Sequence, residues 1–222
     1  MASVEHREPA PVTPRPAPVP AAITGVVWGN SGPLALAGFA TTTFMLSMIN
    51  ANIIPAAVTP VVFAVALMFG GLAQLIAGVI QLRVGNTFGG VLFTGFGAFW
   101  LSIWAFAEFF LKAVPLLQVG HALGLLLYGF GIFSAIMLIA AFRTSIAVIT
   151  ALVLLTVALF VLAAGNYGAS TGLIKTGGVI GLVLAANAFY LCLAELCEAT
   201  YGRAILPIGP LAKKPNESLG EE

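Results

Sequence analysis

An all-α, polytopic membrane protein with six transmembrane helices is what this sequence predicts, on three observations. Hydrophobic residues make up 60% of the 222 and charged residues 8%, where an ordinary soluble domain carries about 25% charged residues; the mean hydropathy is +1.06. Not one Asp, Glu, Lys or Arg lies between Pro16 and Leu82, and further charge-free stretches run 84–107, 113–142, 144–174 and 176–194. Each is long enough to cross a hydrocarbon core, which takes about 20 residues of helix. Helix breakers and turn formers fall between these runs.

The six spans are expected at about 34–54, 58–82, 88–111, 118–142, 146–164 and 174–196. Pro55 and Pro60 separate the first two, and Arg83-Val84-Gly85-Asn86 the next pair. Lys112 to Pro115, Arg143-Thr144-Ser145 and Gly165-Asn166-Tyr167-Gly168 supply the remaining turns. Arg7, Arg15, Arg83, Arg143, Arg203, Lys213 and Lys214 fall on one side of this arrangement, and only Lys112 and Lys175 on the other. Basic residues accumulate on the cytoplasmic side of membrane proteins, so both termini are expected in the cytoplasm of a multi-pass protein of the cell membrane. Residues 1–26 read as a disordered Pro-rich tail, 27–209 as the membrane domain and 210–222 as a second cytoplasmic tail. Pro9, Pro11, Pro14, Pro16, Pro18 and Pro20 favour polyproline II, and nothing in residues 1–22 reads as a cleavable signal.

Charge excludes several functions. A formal net charge of +1 offers no basic excess for nucleic acid. Cys192 and Cys197, five apart in the last apolar run, match neither a zinc pattern nor a redox CxxC and read as free thiols. No HExxH, no Ser with a base and no pair of intramembrane Asp is present, so neither an enzyme nor a bound cofactor or metal is expected.

Polar chemistry enters the membrane at a few places. In Asn30-Ser31-Gly32-Pro33-Leu34-Ala35-Leu36-Ala37-Gly38-Phe39-Ala40-Thr41-Thr42-Thr43, a polar turn becomes a helix carrying hydroxyls into an apolar run. Asn30 and Ser31 suit a helix cap, and Pro33 suits a first turn, where its missing N–H costs nothing. Gly38, Thr41, Thr42 and Ser47 offer a small or hydroxylated face. That face fits a pore lining, and it equally fits close contact with another helix. Gln74, in mid-span, must bond a neighbouring helix or face water or a ligand, because an unpaired amide in hydrocarbon is costly. Asn86 is a candidate cap for the third span, Asn166 stands at the end of the fifth, and Glu195 lies near the end of the sixth. His121, at a helix start, suits capping or an interface. Apart from Lys175 at the very start of the sixth, no Lys or Arg falls inside a span, so no buried cation can hold a carboxylate strongly.

Several strings together resemble the acetate uptake transporter family (the GPR1/FUN34/YaaH group). Asn30-Ser31-Gly32-Pro33-Leu34-Ala35-Leu36 is similar to that family's Asn-Pro-Ala-Pro-Leu-Gly-Leu, and Gly70-Gly71-Leu72-Ala73-Gln74-Leu75-Ile76-Ala77-Gly78 to its Gly-Gly-x-x-Gln-x-x-x-Gly. Gly85-Asn86-Thr87-Phe88-Gly89, Thr94-Gly95-Phe96-Gly97-Ala98-Phe99-Trp100 and Gly202-Arg203-Ala204-Ile205-Leu206-Pro207-Ile208-Gly209 extend the likeness from about Asn30 to Gly209. The resemblance implies six helices around a narrow pore, homo-hexameric assembly in the lipid bilayer, and passage of acetate or a similar short carboxylate accompanied by protons, as symporter or channel. It implies a substrate pathway of Asn30, Pro33, Leu34, Thr41, Thr42, Gln74, Asn86 and Asn166. It also implies a hydrophobic gate of Phe, Tyr and Leu, carried here by Phe39, Phe96 and Leu155, with Phe where the family has Tyr. Glu195 is the candidate proton carrier besides the substrate itself. The rival reading is a six-span structural or sensory protein in which Gln74, Thr41 and Thr42 only join helices.

Overall fold

A computed structural model describes residues 28–211; the Pro-rich tail expected at 1–26 and most of the C-terminal tail lie outside them. Six helices long and apolar enough to cross a membrane run in order: α1 (Gly32–Asn50), α2 (Ala56–Arg83), α3 (Thr87–Ala113), α4 (Leu116–Arg143), α5 (Ile146–Tyr167) and α6 (Thr171–Tyr201). The expected spans are all present. Two differ by four residues or more at an end. α1 stops at Asn50, four residues early, because the chain turns there: Ile53 and Ile54 both donate to the Met48 carbonyl, and Asn52 takes a left-handed φ of 60°. α6 continues to Tyr201 and ends on Gly202, whose φ of 69° is a left-handed helix stop. Pro60 sits in the first turn of the main helical part of α2 and starts it, where it was expected to separate two spans.

The bundle closes around an axis through small-residue contacts. α1 and α6 run antiparallel, with Gly178 against Asn50 and Ala51 and Gly181 against Ser47. Gly177 and Gly165 bring α5 and α6 together, Gly120, Gly124 and Gly131 seat α4 on α5, and Gly78 and Gly97 seat α2 on α3. Between helices in lipid the hydrophobic effect gives little, so such close backbone approach and its van der Waals contact do the holding. Large apolar side chains such as Met68, Ile76, Leu125, Ile136, Ile139 and Val183 point outward, over half exposed, toward the hydrocarbon.

Two local features position what lies inside. Residues Met68–Ala73 of α2 form a π turn immediately before Gln74, the kind of irregularity that re-aims the side chains after it. Gly38 and Gly70 bring α1 and α2 into contact there: a Cβ on Gly38 would strike the Phe69 carbonyl, and one on Gly70 would strike Thr42 and the Trp100 indole. At the other end, residues 203–211 return across the start of α5. Ile146 and Ala147 N–H donate to the Gly209 and Ile208 carbonyls (2.8 and 3.1 Å), and Leu211 N–H donates to the Thr144 carbonyl (2.9 Å). The first two bonds satisfy helix-start N–H groups that have no partner within α5. Gly209 (φ 65°) provides the bend and leaves room for Ile146. The folded body thus includes Pro210 and Leu211, just past the expected boundary at 209.

Candidate functional site

Two cavities lie along the bundle axis. The proximal one, about 340 Å³, begins at the face where the described chain starts and ends; Asn30, Gln81, Asn86, Glu195, Thr144, Ser145, Ile208 and Pro210 line it. The distal one, about 380 Å³, runs toward the other face between Phe39, Thr43, Ser47, Asn50, Thr59, Trp100, Leu111 and Asn166. Both volumes fall at the small end of the range for ligand sites, roughly 300–1,000 Å³. Phe39, Leu155 and Leu184 line both cavities. These three side chains, one each from α1, α5 and α6, form an apolar septum between the two spaces.

Phe96 belongs to the proximal wall of that septum. Its ring is 1% exposed and meets Phe39 edge-on at 5.9 Å between centroids. Phe99, Phe130 and Phe133 back it, with centroids 5.4–6.5 Å from its own. A ring so enclosed is fixed by packing from α3 and α4. The structure therefore brings Phe39, Phe96 and Leu155 together, and it adds Leu184, which no motif marked.

The proximal mouth is built by a continuous hydrogen-bond chain across four helices. Asn30 Nδ2 donates to Glu195 Oε2 (3.3 Å), while Asn30 Oδ1 accepts from the Gly32 N–H and from Gln81 Nε2, both at 2.9 Å. Gln81 Nε2 also reaches Ser31 Oγ (3.0 Å), and Asn86 Nδ2 donates to Gln81 Oε1 (2.7 Å). Asn86 Oδ1 accepts from the Gly89 N–H (3.0 Å) and so caps α3 as its sequence position suggests. At α1 the capping differs from expectation. Ser31 makes no side-chain cap and donates instead to the Ala77 carbonyl of α2 (2.8 Å). Asn30 takes the Gly32 N–H in its place.

Gln81, 3% exposed, is the hub that sequence reasoning missed. Its spacing was the available signal: it stands seven residues after Gln74, two helical turns along the same face. Gln74 itself is 1% exposed and lines the proximal cavity, and its Oε1 has no hydrogen-bond partner.

Other expected pathway residues lie elsewhere. Leu34 is 44% exposed on the outer face of α1 and lines neither cavity. Pro33 is buried against α6, its carbonyl accepting from the Cys192 thiol (3.2 Å). Thr42 is fully buried, donates back to the Gly38 carbonyl (2.8 Å) and packs at Gly70, so it faces α2. Thr41 lines neither cavity, and the α1 hydroxyls that do are Thr43 and Ser47. The α1 face turned to the axis is Phe39, Thr43, Leu46 and Asn50, at helical spacing. Asn166 does line the distal cavity, its Nδ2 donating back to the Leu162 carbonyl (2.8 Å).

Electrostatically the axis is almost bare. Among the described residues no Lys or Arg lines either cavity, and Glu195, in the proximal space, is the one charged residue on their walls. Among the described residues, no three His, Cys, Asp or Glu side chains gather as a metal-binding group. The arrangement can offer single hydrogen bonds and apolar contact to a small solute, with no fixed positive charge to trap an anion.

Comparison with known proteins gives a consistent result. The chain is 34% identical over 182 residues to the succinate-acetate/proton symporter SatP of Escherichia coli K12, an alignment spanning 81% of this chain and 95% of that one. It is 32% identical over 206 residues to acetate permease A of Emericella nidulans (85% and 68% of the two chains). Against ammonia transport outward protein 2 of Saccharomyces cerevisiae it is 33% identical over 200 residues (86% and 69%). The solved structure of the bacterial acetate channel SatP superposes with a TM-score of 0.77 at 32% identity, covering 82% of this chain and all of that one. With residues 13–213 also matching the family as a whole, this six-helix protein belongs to the GPR1/FUN34/yaaH family.

Proposed function

We propose that this protein carries acetate and related short-chain carboxylates across the membrane, along the axis through the two cavities. The observation that supports it best is the septum: two spaces of ligand size, aligned and separated by Phe39, Leu155 and Leu184. A structural or sensory bundle has no need of matched cavities with a thin apolar partition. A methyl-bearing solute of few atoms suits such a partition, since its apolar end can pass the side chains while its polar end stays bonded on one side. Phe39, Phe96, Leu155 and Leu184 act as the gate. Asn30, Gln74 and Asn86 on one side and Asn166 on the other form the polar lining.

Passage is linked to protons. An anion entering the proximal cavity meets the Glu195 carboxylate and, among the described residues, no cation, and carrying a bare carboxylate through an apolar constriction costs several kcal/mol. Transfer as the neutral acid avoids that cost. The proton then travels on the substrate, with Glu195 at the mouth placed to exchange it. The bias of basic residues supports cytoplasmic termini in the cell membrane, with the proximal cavity opening inward. The family resemblance supports a homo-hexamer with one passage in each protomer.

Uptake of radiolabelled acetate into proteoliposomes, with and without an inward proton gradient, tests this reading. Saturable flux that rises as the external pH falls is expected. No flux above protein-free liposomes would leave the bundle as a structural protein.

A further inference from the structure

We infer that the passage also carries short neutral primary amides, acetamide first among them, and carries them without protons. The inference rests on the transport reading and extends it to a second chemical class of solute.

The axis does nothing to attract an anion. Among the described residues Glu195 is the one charged side chain on either cavity wall, and the partition of Phe39, Leu155 and Leu184 is wholly apolar. A carboxylate arriving at the proximal mouth meets a negative charge, then a constriction in which an unpaired ion is costly. These walls select a neutral solute. Nothing on them requires that the neutrality come from a proton, as it must for a carboxylic acid.

A primary amide is neutral at every pH that a cell meets. Acetamide and acetic acid share the methyl end, the planar polar end and the number of heavy atoms, so a partition that admits one by size admits the other. They differ in what the polar end donates: the acid has one O–H and the amide two N–H groups, each beside a carbonyl acceptor.

The proximal wall is matched to those N–H groups. Glu195, when ionised, can only accept, and Gln74, 1% exposed, has an amide oxygen without a partner in the protein. The side-chain N–H groups of the mouth are already engaged with neighbours: Asn30 Nδ2 donates to Glu195, Gln81 Nε2 to Asn30 and Ser31, and Asn86 Nδ2 to Gln81. Acceptors beside engaged donors favour a solute that brings its own N–H groups. An ionised carboxylate brings none. Beyond the partition the balance reverses, since the Trp100 indole N–H, which can only donate, has no acceptor in the protein and suits a carbonyl oxygen.

Radiolabelled acetamide, measured beside radiolabelled acetate in proteoliposomes of the full-length protein, tests this. Acetamide is expected to enter saturably and faster than into protein-free liposomes. Its rate should stay within about twofold between acid and neutral external pH, while acetate uptake falls roughly tenfold for each pH unit above the acid's own pKa. Each solute should slow the uptake of the other, and Leu184→Trp should remove the protein-dependent part of both fluxes. Acetate flux without acetamide flux above the liposome background would overturn the inference and leave the transport reading standing. Acetamide flux that needed a proton gradient, or that acetate failed to slow, would overturn it as well. Absence of both fluxes would sink the transport reading itself.

Discussion

The two cavities are alike in size and share three side chains, but the proximal mouth and the walls beside the septum satisfy their polar groups in opposite ways. At the proximal mouth Asn30, Ser31, Gln81, Asn86 and Glu195 are tied to one another across four helices. Past the septum Thr43 and Trp100 have no protein partner. A saturated network holds a mouth in shape, and in membrane helices each such bond contributes about 0.6–2 kcal/mol. Unsatisfied donors in a cavity do the reverse: they cost stability unless something small binds there. The mouth is therefore built for rigidity, and the walls beside the septum, with Gln74 on one side and Thr43 and Trp100 on the other, for occupancy.

The largest expected effect comes from closing the partition common to both. Leu184→Trp places an indole where both cavities meet and should abolish acetate flux in protein that still inserts, because Leu184 lines both cavities. Retained flux in correctly inserted protein would show that the path does not cross this septum. Next is Gln74→Leu, of similar volume, which removes the proximal amide and should lower acetate flux roughly tenfold with little loss of stability, since Gln74 Oε1 bonds nothing in the protein. A stability loss with unchanged flux would make Gln74 a helix-joining residue.

The network should respond the other way. Gln81→Leu strands Asn86 Nδ2 and weakens the holds on Asn30 and Ser31. It should cost about 1–3 kcal/mol in thermal unfolding in detergent and reduce flux only in proportion to folded protein. Glu195→Gln keeps the bond to Asn30 possible and removes the one charge on the axis. That charge is the only one among the described cavity-lining residues. Its removal should leave the rise of uptake at low external pH in place, because the protonated substrate sets that rise. Flux at fixed membrane potential across a pH series measures it, and a flattened profile would make Glu195 the obligatory proton carrier.

How much of this was legible in the sequence differs between the same two regions. The six helices, the turns between them and the Asn86 cap follow from charge-free runs and from the residues that interrupt them. Phe39, Phe96, Leu155, Gln74 and Asn166, which the resemblance marked, line the two cavities, whereas Leu184 lies in a featureless apolar run, Val183-Leu184-Ala185. The α1 face was not legible. Thr41, Thr42 and Thr43 are consecutive and sweep about 200° of a helix, so composition cannot say which hydroxyl faces inward. A tertiary contact decides it: Gly38 packed on Phe69 and Gly70 turns Thr42 into α2 and leaves Phe39 and Thr43 on the axis. The π turn before Gln74 was equally hidden, since Gly70-Gly71 also fits an unbroken helix in close contact.

The smallest effects belong to the residues which that contact turns away, and they sharpen the comparison by supplying its baseline. Thr41 and Thr43 are two residues apart on one helix, both carry a hydroxyl, and both face protein or lipid in part, yet only Thr43 lines the distal cavity. Thr41→Val removes a hydroxyl of identical chemistry at the same depth in the bilayer. It should leave the half-saturating acetate concentration within experimental error and shift unfolding by less than about 0.5 kcal/mol, as for a substitution outside packed or satisfied polar sites. Leu34→Ala, on the exposed face of α1, should behave alike in flux. If Thr41→Val instead lowered acetate flux, α1 would be rotated by much of a half-turn from the face described, Phe39 could not sit in the septum, and the assignment of both cavities to one passage would fall with it.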